Sequence, residues 1–461
     1  MKTLTDTRSG ASKTAVARML RLRWIIWLIP SLIYATSHVH RIAPTILFDD
    51  LMSTFRTTGA SLGGLGSMYF YIYAVMQIPS GLFADTLGPR KTITAGACIG
   101  GSGAFVFGRA GTLWVAYLGR FLIGFGMSLI FICIMKLAAE WFRDHEFGSL
   151  SGLTLMGGNL GAMLATTPLY LLVLQVGWRL SYQAIGLATL IFGTLAWIII
   201  RNRPAELGLP SAKDLDTGHD SQAAAETKPA RISIGRGLKT ALATRAVWPT
   251  VILSFGLYGT IVALKGMWLT PYLTQVYGLS REQATGYVLL SLIAGLFGPL
   301  LIGVLSDRIR RRKLPIMLFT PLYLLTWLVI AFWNGGRPPL AAVPILLFLL
   351  SIFCSPVALT WACAKEVSHP SLVGLATGIA NIGGFLGGAL MQFLFGYILD
   401  LKWQGAMVDG VRIYPLEAYQ TAFIFTSVIV CISLASVFFI RETNCKNIYP
   451  ENLITAAEVV L

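Results

Sequence analysis

The chain reads GLFADTLGPRK from Gly81 to Lys91, and GVLSDRIRRRK repeats this pattern from Gly303 to Lys313, an offset of 222 residues. Both stretches place a glycine and an aspartate at the end of an apolar run, and basic residues follow. Further out, five glycines recur at an offset of 226 residues: Gly148, Gly152, Gly157, Gly158 and Gly161 match Gly374, Gly378, Gly383, Gly384 and Gly387. Two matches at nearly the same offset predict that the chain consists of two tandem copies of one unit.

The composition excludes a soluble protein of this length. Of the 461 residues, 55% are hydrophobic and only 12% are Asp, Glu, Lys or Arg, whereas an average soluble domain has about 25% charged residues. The strands of a membrane barrel alternate apolar and polar residues, so long apolar runs favour an α-helical membrane protein.

Twelve apolar runs approach the roughly 20 residues that a transmembrane helix needs. They lie near residues 22–47, 60–84, 91–109, 112–139, 149–174, 180–200, 246–276, 284–306, 314–333, 340–366, 371–399 and 418–440. The predicted organisation is an N-terminal segment 1–21, a six-helix bundle 22–200, a linker 201–245, a second six-helix bundle 246–440 and a tail 441–461. The predicted fold is therefore an all-α polytopic membrane protein, with twelve transmembrane helices in two six-helix pseudo-repeats around a central cavity.

The formal net charge of +15 is explained mostly by topology. If the N-terminus is inside, 25 of the 36 Lys and Arg residues fall on the cytoplasmic side and 7 on the other side. Cytoplasmic loops carry such an excess, so both termini are predicted to be cytoplasmic and nucleic-acid binding is not expected. No N-x-S/T sequon occurs, which favours a bacterial inner membrane protein. The six cysteines form no CxxC pair, and no metal site or cofactor is expected.

Four basic residues remain inside predicted spans: Arg41, Arg120, Lys136 and Lys265. No acidic residue falls in the middle of a span. A charge at this depth costs at least about 2.5–3.5 kcal/mol, so it normally has a function, and unpaired cations predict an anionic ligand. Arg41 and Lys265 are related by the repeat, at an offset of 224 residues, and are expected to face each other across the cavity.

Several neighbours are candidates for the same site. His38 lies three residues before Arg41 on one helix face and is a candidate carrier of a coupled proton; a hydrogen-bonded helix histidine is the alternative. For Arg120 the alternative is a structural role on backbone carbonyls, and Lys136 is expected to extend towards the membrane surface. The remaining candidates are polar or aromatic residues of the spans: Tyr73, Asn159, Trp268, Trp361 and Asn381.

The loop pattern GLFADTLGPRK resembles the motif G-x-x-x-D-x-x-G-R-R/K of the major facilitator superfamily, with Thr86 and Pro89 as departures. LGRFLIGFG, residues 118–126, resembles the fourth-span motif R-x-x-G-x-G of that family. The resemblance implies a gate in which the loop aspartate contacts an adjacent helix end and stabilises the outward-facing state. The implied gating residues are Gly81, Asp85, Gly88, Arg90 and Lys91, with Asp307 and Arg308 in the second copy. A basic topology anchor with a capping aspartate is the alternative.

Two spans resemble a particular branch of that family. YATSHVHRIAPTIL (Tyr34–Leu47) and YGTIVALKGMWLTPYL (Tyr258–Leu273) are similar to the first and seventh spans of organophosphate antiporters and anion:cation symporters. The resemblance implies that Arg41 and Lys265 hold a substrate phosphate or carboxylate. Lys265 stands where the phosphate antiporters have Arg, and a lysine cannot offer a bidentate fork, so carboxylates remain open.

The sequence thus predicts a secondary active transporter of a small organic anion, a carboxylate or phosphate ester. It would work by rocker-switch alternating access with proton symport or anion exchange. A transporter-like anion sensor that signals to a partner is an alternative, and so is a carrier of a neutral or zwitterionic metabolite such as an amino acid or nucleoside. No G-x-x-x-x-G-K-S/T loop is present, so ATP hydrolysis is not expected. No His/Asp/Ser or metal-ligand cluster stands out in the sequence, so an enzyme is not expected either. The expected partners are the anionic substrate, a coupling proton or counter-anion and the lipid bilayer, with the protein as a monomer.

Overall fold

The protein is represented by a computed structural model, which describes residues 3–143, 146–210, 242–369 and 372–449. The first six spans are Thr3–Ile46; Gly59–Val75 with Gln77–Thr86; Pro89–Gly108; Leu113–Ser128 with Ile130–Trp141; Phe147–Leu164 with the part of Thr167–Ile199 before Gly177; and the rest of Thr167–Ile199. The last six are Trp248–Tyr277, Arg281–Ile309, Lys313–Phe332, Val343–Phe353 with Val357–Glu366, Val373–Leu401 and Leu416–Val437. Outside the spans lie a short helix, Phe48–Phe55, and a hairpin of two strands, β1 (Met407–Val408) and β2 (Val411–Arg412).

The helical content confirms the predicted fold class. Within the described residues, eight helices are long and apolar enough to cross a membrane: Leu113–Trp141, Thr167–Ile199, Arg245–Tyr277, Arg281–Ile309, Lys313–Gly335, Leu340–Glu366, Gly374–Leu401 and Leu416–Val437. The remaining spans are shorter, interrupted or richer in polar residues. Together these helices make the chain an integral, multi-pass membrane protein.

Some predicted boundaries differ from the helix ends. Span 1 is one helix from Thr3, so no structural break occurs at the predicted start near residue 22. The predicted turn between spans 5 and 6 at 174–180 lies at Gly177, where φ is +76°, a value that glycine adopts without strain. Residues 211–241 of the predicted linker and 450–461 of the predicted tail lie outside the described residues.

The two halves pack as parallel copies about an axis between spans 1 and 7. Thr45 Oγ1 donates to Thr270 Oγ1 at 3.2 Å, and the two threonines are 225 residues apart, which is within the range of the repeat offsets, 222–226. Residues that match in the repeat can touch only where the symmetry axis passes between them. This contact therefore places the pseudo-two-fold axis between the two threonines.

The bundle has two distinct ends. We call the end that carries the loops 81–91 and 303–313 the basic end, and the end that carries the β1–β2 hairpin the hairpin end. Near the hairpin end, Arg281 Nε donates to Ile46 O at 2.6 Å and its guanidinium forms an ion pair with Asp50. At the same end, Asp400 of span 11 accepts the backbone N–H groups of Gly59 and Ala60 at the start of span 2. The two halves are therefore joined at the hairpin end.

Close helix contacts depend on the repeated glycines. A Cβ on Gly161 would collide with the carbonyl oxygen of Ala35, and one on Gly387 would collide with that of Phe255. Gly152 of the same span has no neighbour at this distance. Small residues at these crossings let helix backbones approach closely, as is typical of membrane helices.

We expect Gly161→Ala to destabilise the protein by about 1–3 kcal/mol, because spans 1 and 5 must separate to admit the methyl group. Gly152→Ala is the control, and it should leave the melting temperature unchanged or raise it, since alanine is the better helix former. The measurement is thermal unfolding in detergent. Equal melting temperatures for the two variants would contradict the close contact.

Candidate substrate site

Arg41 lies in a cage of aromatic side chains from both halves of the protein. Its Cζ atom is 5.6 Å from the ring centre of Tyr69, 4.8 Å from that of Tyr73 and 5.3 Å from that of Phe385. Nε donates to the Tyr69 hydroxyl at 3.2 Å, and Nη1 donates to the Tyr258 hydroxyl at 3.5 Å. The side chain is 8% exposed. Ring faces and hydroxyl oxygens both favour a cation, so the cage holds a buried positive charge without a carboxylate.

Tyr73 and Phe385 connect the two halves within this cage. Their rings are stacked with centres 4.3 Å apart, and Tyr258 packs edge-on against Phe385 at 5.8 Å. Tyr73 belongs to span 2, Phe385 to span 11 and Tyr258 to span 7. A rearrangement of the halves would therefore change the surroundings of Arg41.

The hydrogen bonds of His38 define its tautomer. Nδ1 lies 3.2 Å from the carbonyl oxygen of Tyr34, which can only accept, so Nδ1 carries the hydrogen. Nε2 lies 3.4 Å from Arg41 Nη1, which can only donate, so Nε2 accepts. Gly158 of span 5 packs against the imidazole, and a Cβ there would lie 2.6 Å from His38 Cε1. His38 is therefore a neutral acceptor for Arg41 in this arrangement.

Lys265 points away from Arg41, into the C-terminal half. Its Nζ atom donates to Ser291 O at 2.9 Å and to Ser351 Oγ at 2.8 Å. A Cβ on the next residue, Gly266, would lie 3.3 Å from Arg41 O, so the two spans touch back to back at this level. The expectation that the two cationic side chains face each other does not hold in this conformation, because their helices meet through the backbone of Gly266.

Span 7 is irregular at Lys265. Residues Leu264–Trp268 form a π-helical segment between two α-helices. A π turn inserts one extra residue, which rotates the following side chains, and such turns are frequent at functional sites. Lys265 belongs to this segment, and its side chain bonds with Ser291 and Ser351.

Arg120 has a structural position. Nη1 donates to His40 O at 2.7 Å, Nε to Leu65 O at 3.2 Å and Nη2 to Gly66 O at 3.4 Å. The side chain is fully buried, and its guanidinium lies 5.4 Å from the ring centre of Tyr69, which Arg41 also contacts. The structure therefore supports the structural alternative: Arg120 ties span 4 to spans 1 and 2 rather than lining a cavity.

The other predicted residues fall in several places. Trp268 is fully buried, stacks on Phe395 at 5.5 Å and donates from Nε1 to Gln392 O at 3.0 Å, so it packs spans 7 and 11 together. Trp361 packs against a small apolar cluster that includes Ala364 and Ile379, away from the Arg41 cage. Neither tryptophan lies at the cage. In this conformation both side chains pack helices together, and their assignment to the substrate site stays a prediction.

Asn159 and Asn381 are half-buried, and neither forms a hydrogen bond with the described residues. Asn159 is the repeat counterpart of Phe385, at the glycine offset of 226 residues, and it follows Gly158, which packs on His38. Asn159 is therefore adjacent in the chain to a residue that contacts the cage neighbourhood. No contact in the structure connects Asn381 with Arg41.

In the first loop, Asp85 does not pair with Arg90. Lys136 Nζ donates to Asp85 Oδ1 at 2.6 Å and to Ala84 O at 2.9 Å. Arg90 instead lies over the ring of Trp197 at 4.4 Å, and its Nε donates to Trp197 O. Lys136 is therefore an ion-pair partner of the loop aspartate rather than a side chain that extends to the membrane surface.

The remaining residues of this loop have backbone roles or are exposed. Gly88 has φ +82°, a value that glycine adopts without strain, and it precedes the third span, where Arg90 N donates to Asn202 Oδ1 at 2.9 Å. A Cβ on Gly81 would meet no neighbour within 4 Å. Lys91 is exposed.

In the second loop, the partner of Asp307 is Arg312 rather than Arg308. Arg312 Nη1 lies 2.7 Å from Asp307 Oδ1, and Arg312 Nη2 lies 3.1 Å from Glu366 Oε1. Arg308 is exposed and has no polar partner among the described residues. Arg312 is the repeat counterpart of Arg90, at an offset of 222 residues, so the loop offset identifies it directly.

Glu442 caps the helix that follows this loop. Its carboxylate accepts hydrogen bonds from the backbone N–H groups of Arg312 at 2.8 Å and of Lys313 at 3.0 Å. Burial alone would raise the pKa of Glu442, but these N–H donors and those of Thr443 and Asn444 lower it below its usual value. In the first half Asn202 has the corresponding role, because its Oδ1 accepts the backbone N–H group of Arg90.

Sequence reasoning missed several residues of the site. Tyr258 and Tyr34 each lie seven residues before a cation of the pair, Lys265 and Arg41, and they match at the offset of 224. Residues seven apart share one helix face, so this spacing could have indicated both tyrosines as site residues. Phe385 carried no such signal, because it belongs to a glycine-rich apolar span.

Comparison with known proteins agrees with this architecture. The family model described as "Major Facilitator Superfamily" matches residues 27–392 and 289–452. The probable sulfoacetate transporter SauU of Cupriavidus necator is 26% identical over 393 residues, 83% of this chain and 88% of that protein. A probable hexose phosphate transport protein of Chlamydia muridarum is 25% identical over 399 residues, 84% and 83% of the two chains.

A solved structure of similar fold is the bacterial homologue of the human lysosomal transporter Spinster. Its TM-score is 0.74 at 17% sequence identity, over 91% of this chain and 97% of that chain. This likeness concerns the fold alone. Because the family model covers most of the sequence, and the fold has the same twelve-helix plan, the chain belongs to the major facilitator superfamily.

Proposed function

We propose that the protein is a secondary transporter of a small organic anion whose carboxylate, sulfonate or phosphate group binds to Arg41. The observation that carries this proposal is the set of partners around the Arg41 guanidinium: tyrosine hydroxyls, ring faces and a neutral histidine, with no carboxylate among the described residues. A buried cation with neutral partners gains most from an anion, since charge-assisted hydrogen bonds are about twice as strong as neutral ones.

Lys265 is the second anion ligand in this proposal. Its present partners, Ser291 O and Ser351 Oγ, are neutral, so a substrate carboxylate is a stronger partner for the ammonium group. Its place in the π-helical segment, back to back with Arg41, would allow it to contribute after a local change in span 7. Asn159, the repeat counterpart of Phe385, is proposed to contact the substrate from span 5.

The proposed transport cycle is alternating access of the rocker-switch type. With the predicted topology, in which both termini and the basic end face the cytoplasm of a bacterial inner membrane, contacts at the hairpin end represent an inward-facing state. In the opposite state the basic end would close, and Asp85 and Asp307 would then meet the other half. In the present conformation Lys136 forms an ion pair with Asp85, and Arg312 forms one with Asp307.

The names of the relatives support an anionic substrate, but they differ in the chemical group that carries the negative charge. One relative is named for sulfoacetate and another for a hexose phosphate. Both compounds carry an oxyanion that a guanidinium can bind. The class that we propose is therefore a small oxyanion compound, and an uptake panel must choose among its members.

We propose that the driving force is proton symport through His38. A proton on Nε2 would replace an acceptor by a donor facing Arg41 Nη1, and this would leave two cations side by side. A bound anion removes that repulsion, so each ligand raises the affinity for the other. Within the described residues, Arg41 is the charged group facing His38, and Tyr34 and Gly158 are its other neighbours.

The test is uptake into proteoliposomes with labelled sulfoacetate, a hexose phosphate, a dicarboxylate, an amino acid and a nucleoside. We expect accumulation of at least one of the first three, and stronger accumulation when the side of addition is acidic. Uptake of the amino acid or nucleoside alone would contradict the anion proposal. Binding without uptake would support the sensor alternative and contradict transport.

We expect His38→Gln to abolish the stimulation by a pH gradient while anion exchange across the membrane continues. Glutamine retains an amide that can bond with Arg41 but does not titrate between pH 5 and 8. Uptake with and without the gradient, and exchange at equal pH, are measured on one preparation. Undiminished stimulation by the gradient would exclude His38 as the proton carrier.

A further inference from the structure

A groove of about 490 Å³ lies between spans 7 and 12 at the basic end, outside the Arg41 cage. Its volume is in the range of ligand pockets, about 300–1,000 Å³. Its apolar lining comes from Trp248, Pro249 and Ile252 on span 7, from Ile432 and Ala435 on span 12, and from Phe439 just after span 12. The other lining residues are Ala246, Ser436, Arg245 and Arg441.

The helices that form this groove are fixed at its floor. A Cβ on Gly256 would collide with the hydroxyl of Ser433, and this hydroxyl donates to Ile252 O at 3.1 Å. Ser436 donates to Pro249 O at 3.2 Å. The polar atoms of the floor are therefore used within the protein, and they leave an apolar trough for an occupant.

The two arginines carry unbalanced charge. Both side chains are exposed, and neither has an acidic partner among the described residues. The adjacent carboxylate of Glu442 is occupied, because it accepts backbone N–H groups of Arg312 and Lys313. A trough with apolar walls and two guanidinium groups at the end of the spans matches an amphipathic molecule with an anionic head.

We propose that this groove binds an anionic phospholipid. The phosphate lies at Arg245 and Arg441, and an acyl chain lies along Ile252, Ile432 and Phe439. Basic pockets between membrane helices bind anionic headgroups in this way, and Trp248, 44% exposed, is typical of a residue at the membrane surface. The lipid would fasten span 7, which carries Lys265, to span 12. This proposal is independent of the transported substrate.

The test is native mass spectrometry of the full chain in detergent, titrated with phosphatidylglycerol. We expect the double variant Arg245→Gln, Arg441→Gln to bind roughly 30-fold more weakly than the parent, since each arginine near a headgroup contributes about 1 kcal/mol. Arg308→Gln with Arg311→Gln is the matched control, because both arginines are exposed at the same end and neither lines the groove. This control should keep the parental affinity.

A second variant tests the apolar wall with both arginines intact. Ile432→Trp fills the groove and should also lower the affinity. Unchanged binding by the arginine variant would overturn the proposal, and so would equal binding of phosphatidylcholine, which shows that charge is not selected. Displacement by inorganic phosphate would show an anion site without lipid. A dimer that is lost in the arginine variant would show that a second copy of the chain occupies the groove.

Discussion

Arg41→Gln is expected to lower kcat/KM for anion uptake by about 10²–10³-fold. Removal of one member of a buried, hydrogen-bonded charge pair typically costs about 2–5 kcal/mol, and each 1.4 kcal/mol is a factor of ten. In the proposed complex the substrate anion is the other member of that pair. Arg41→Lys keeps the charge but loses the Nε contact with Tyr69, so its activity should fall between those of the parent and the glutamine variant. The measurement is initial uptake into proteoliposomes.

Arg311→Gln is the control for this experiment. It removes one positive charge from an exposed position at the basic end, so it should transport like the parent. Melting temperatures of the purified variants show whether loss of activity reflects unfolding. Parental kcat/KM in a folded Arg41→Gln variant would refute the role of Arg41 in substrate binding.

Asp400→Asn is expected to open the hairpin end. The carboxylate at the end of span 11 accepts the backbone N–H groups of Gly59 at 3.0 Å and Ala60 at 2.6 Å, at the start of span 2. Its Oδ1 also accepts from Tyr414 at 2.9 Å and from Arg412 at 3.1 Å. A negative charge at a helix N-terminus is favourable, and hydrogen bonds to charged groups contribute about 1.5–3 kcal/mol. Loss of the Asp400 charge should lower the ratio of molecules closed at the hairpin end to molecules open there by about 10–100-fold.

Hydrogen–deuterium exchange of the segment 57–66 measures this opening. We expect faster exchange in Asp400→Asn than in the parent, because asparagine has no charge and only one acceptor oxygen, so one of the two amide groups at the start of span 2 loses its acceptor. Asp409→Asn is the matched control, since Asp409 lies exposed in the turn of the same hairpin and asparagine tolerates its φ of +50°. Equal exchange in all three proteins would mean that Asp400 does not hold the hairpin end closed.

The fold could be predicted from the sequence because the repeat and the apolar runs extend over whole helices. The loop copies and the glycine pattern identified two similar halves, and the contact between Thr45 and Thr270 shows that they meet about an axis. The predicted turn at 174–180 contains Gly177, whereas the predicted start of span 1 was inaccurate, since a helix can continue well beyond the apolar run that predicts it.

The candidate site was predictable only in part. The lack of intramembrane acids selected Arg41 and Lys265, but it could not show where each side chain points. The π-helical segment Leu264–Trp268 and the crossing at Gly266 decide that, and both depend on the packing of span 7 against span 1. Tyr258 reaches Arg41 from the opposite half, which a pattern within one helix does not reveal.

The loops show how local spacing can select the wrong partner. Arg308 follows Asp307 directly, but on a helix adjacent residues do not face each other. Arg312 lies beyond the helix end and returns to both Asp307 and Glu366. For Asp85 the partner comes from span 4, as Lys136, and no feature of the loop itself indicates that contact.

The most direct test of the proposed role of Arg41 is equilibrium binding, because it does not depend on movement of the halves. Calorimetric titration of the purified protein uses the anion with the highest uptake in the panel, and compares the parent with Arg41→Gln and Arg311→Gln. We expect the dissociation constant to rise by about 100-fold or more in Arg41→Gln and to stay at the parental value in Arg311→Gln. A folded Arg41→Gln variant that binds the anion with parental affinity would contradict the assignment of Arg41 as the substrate's counter-charge.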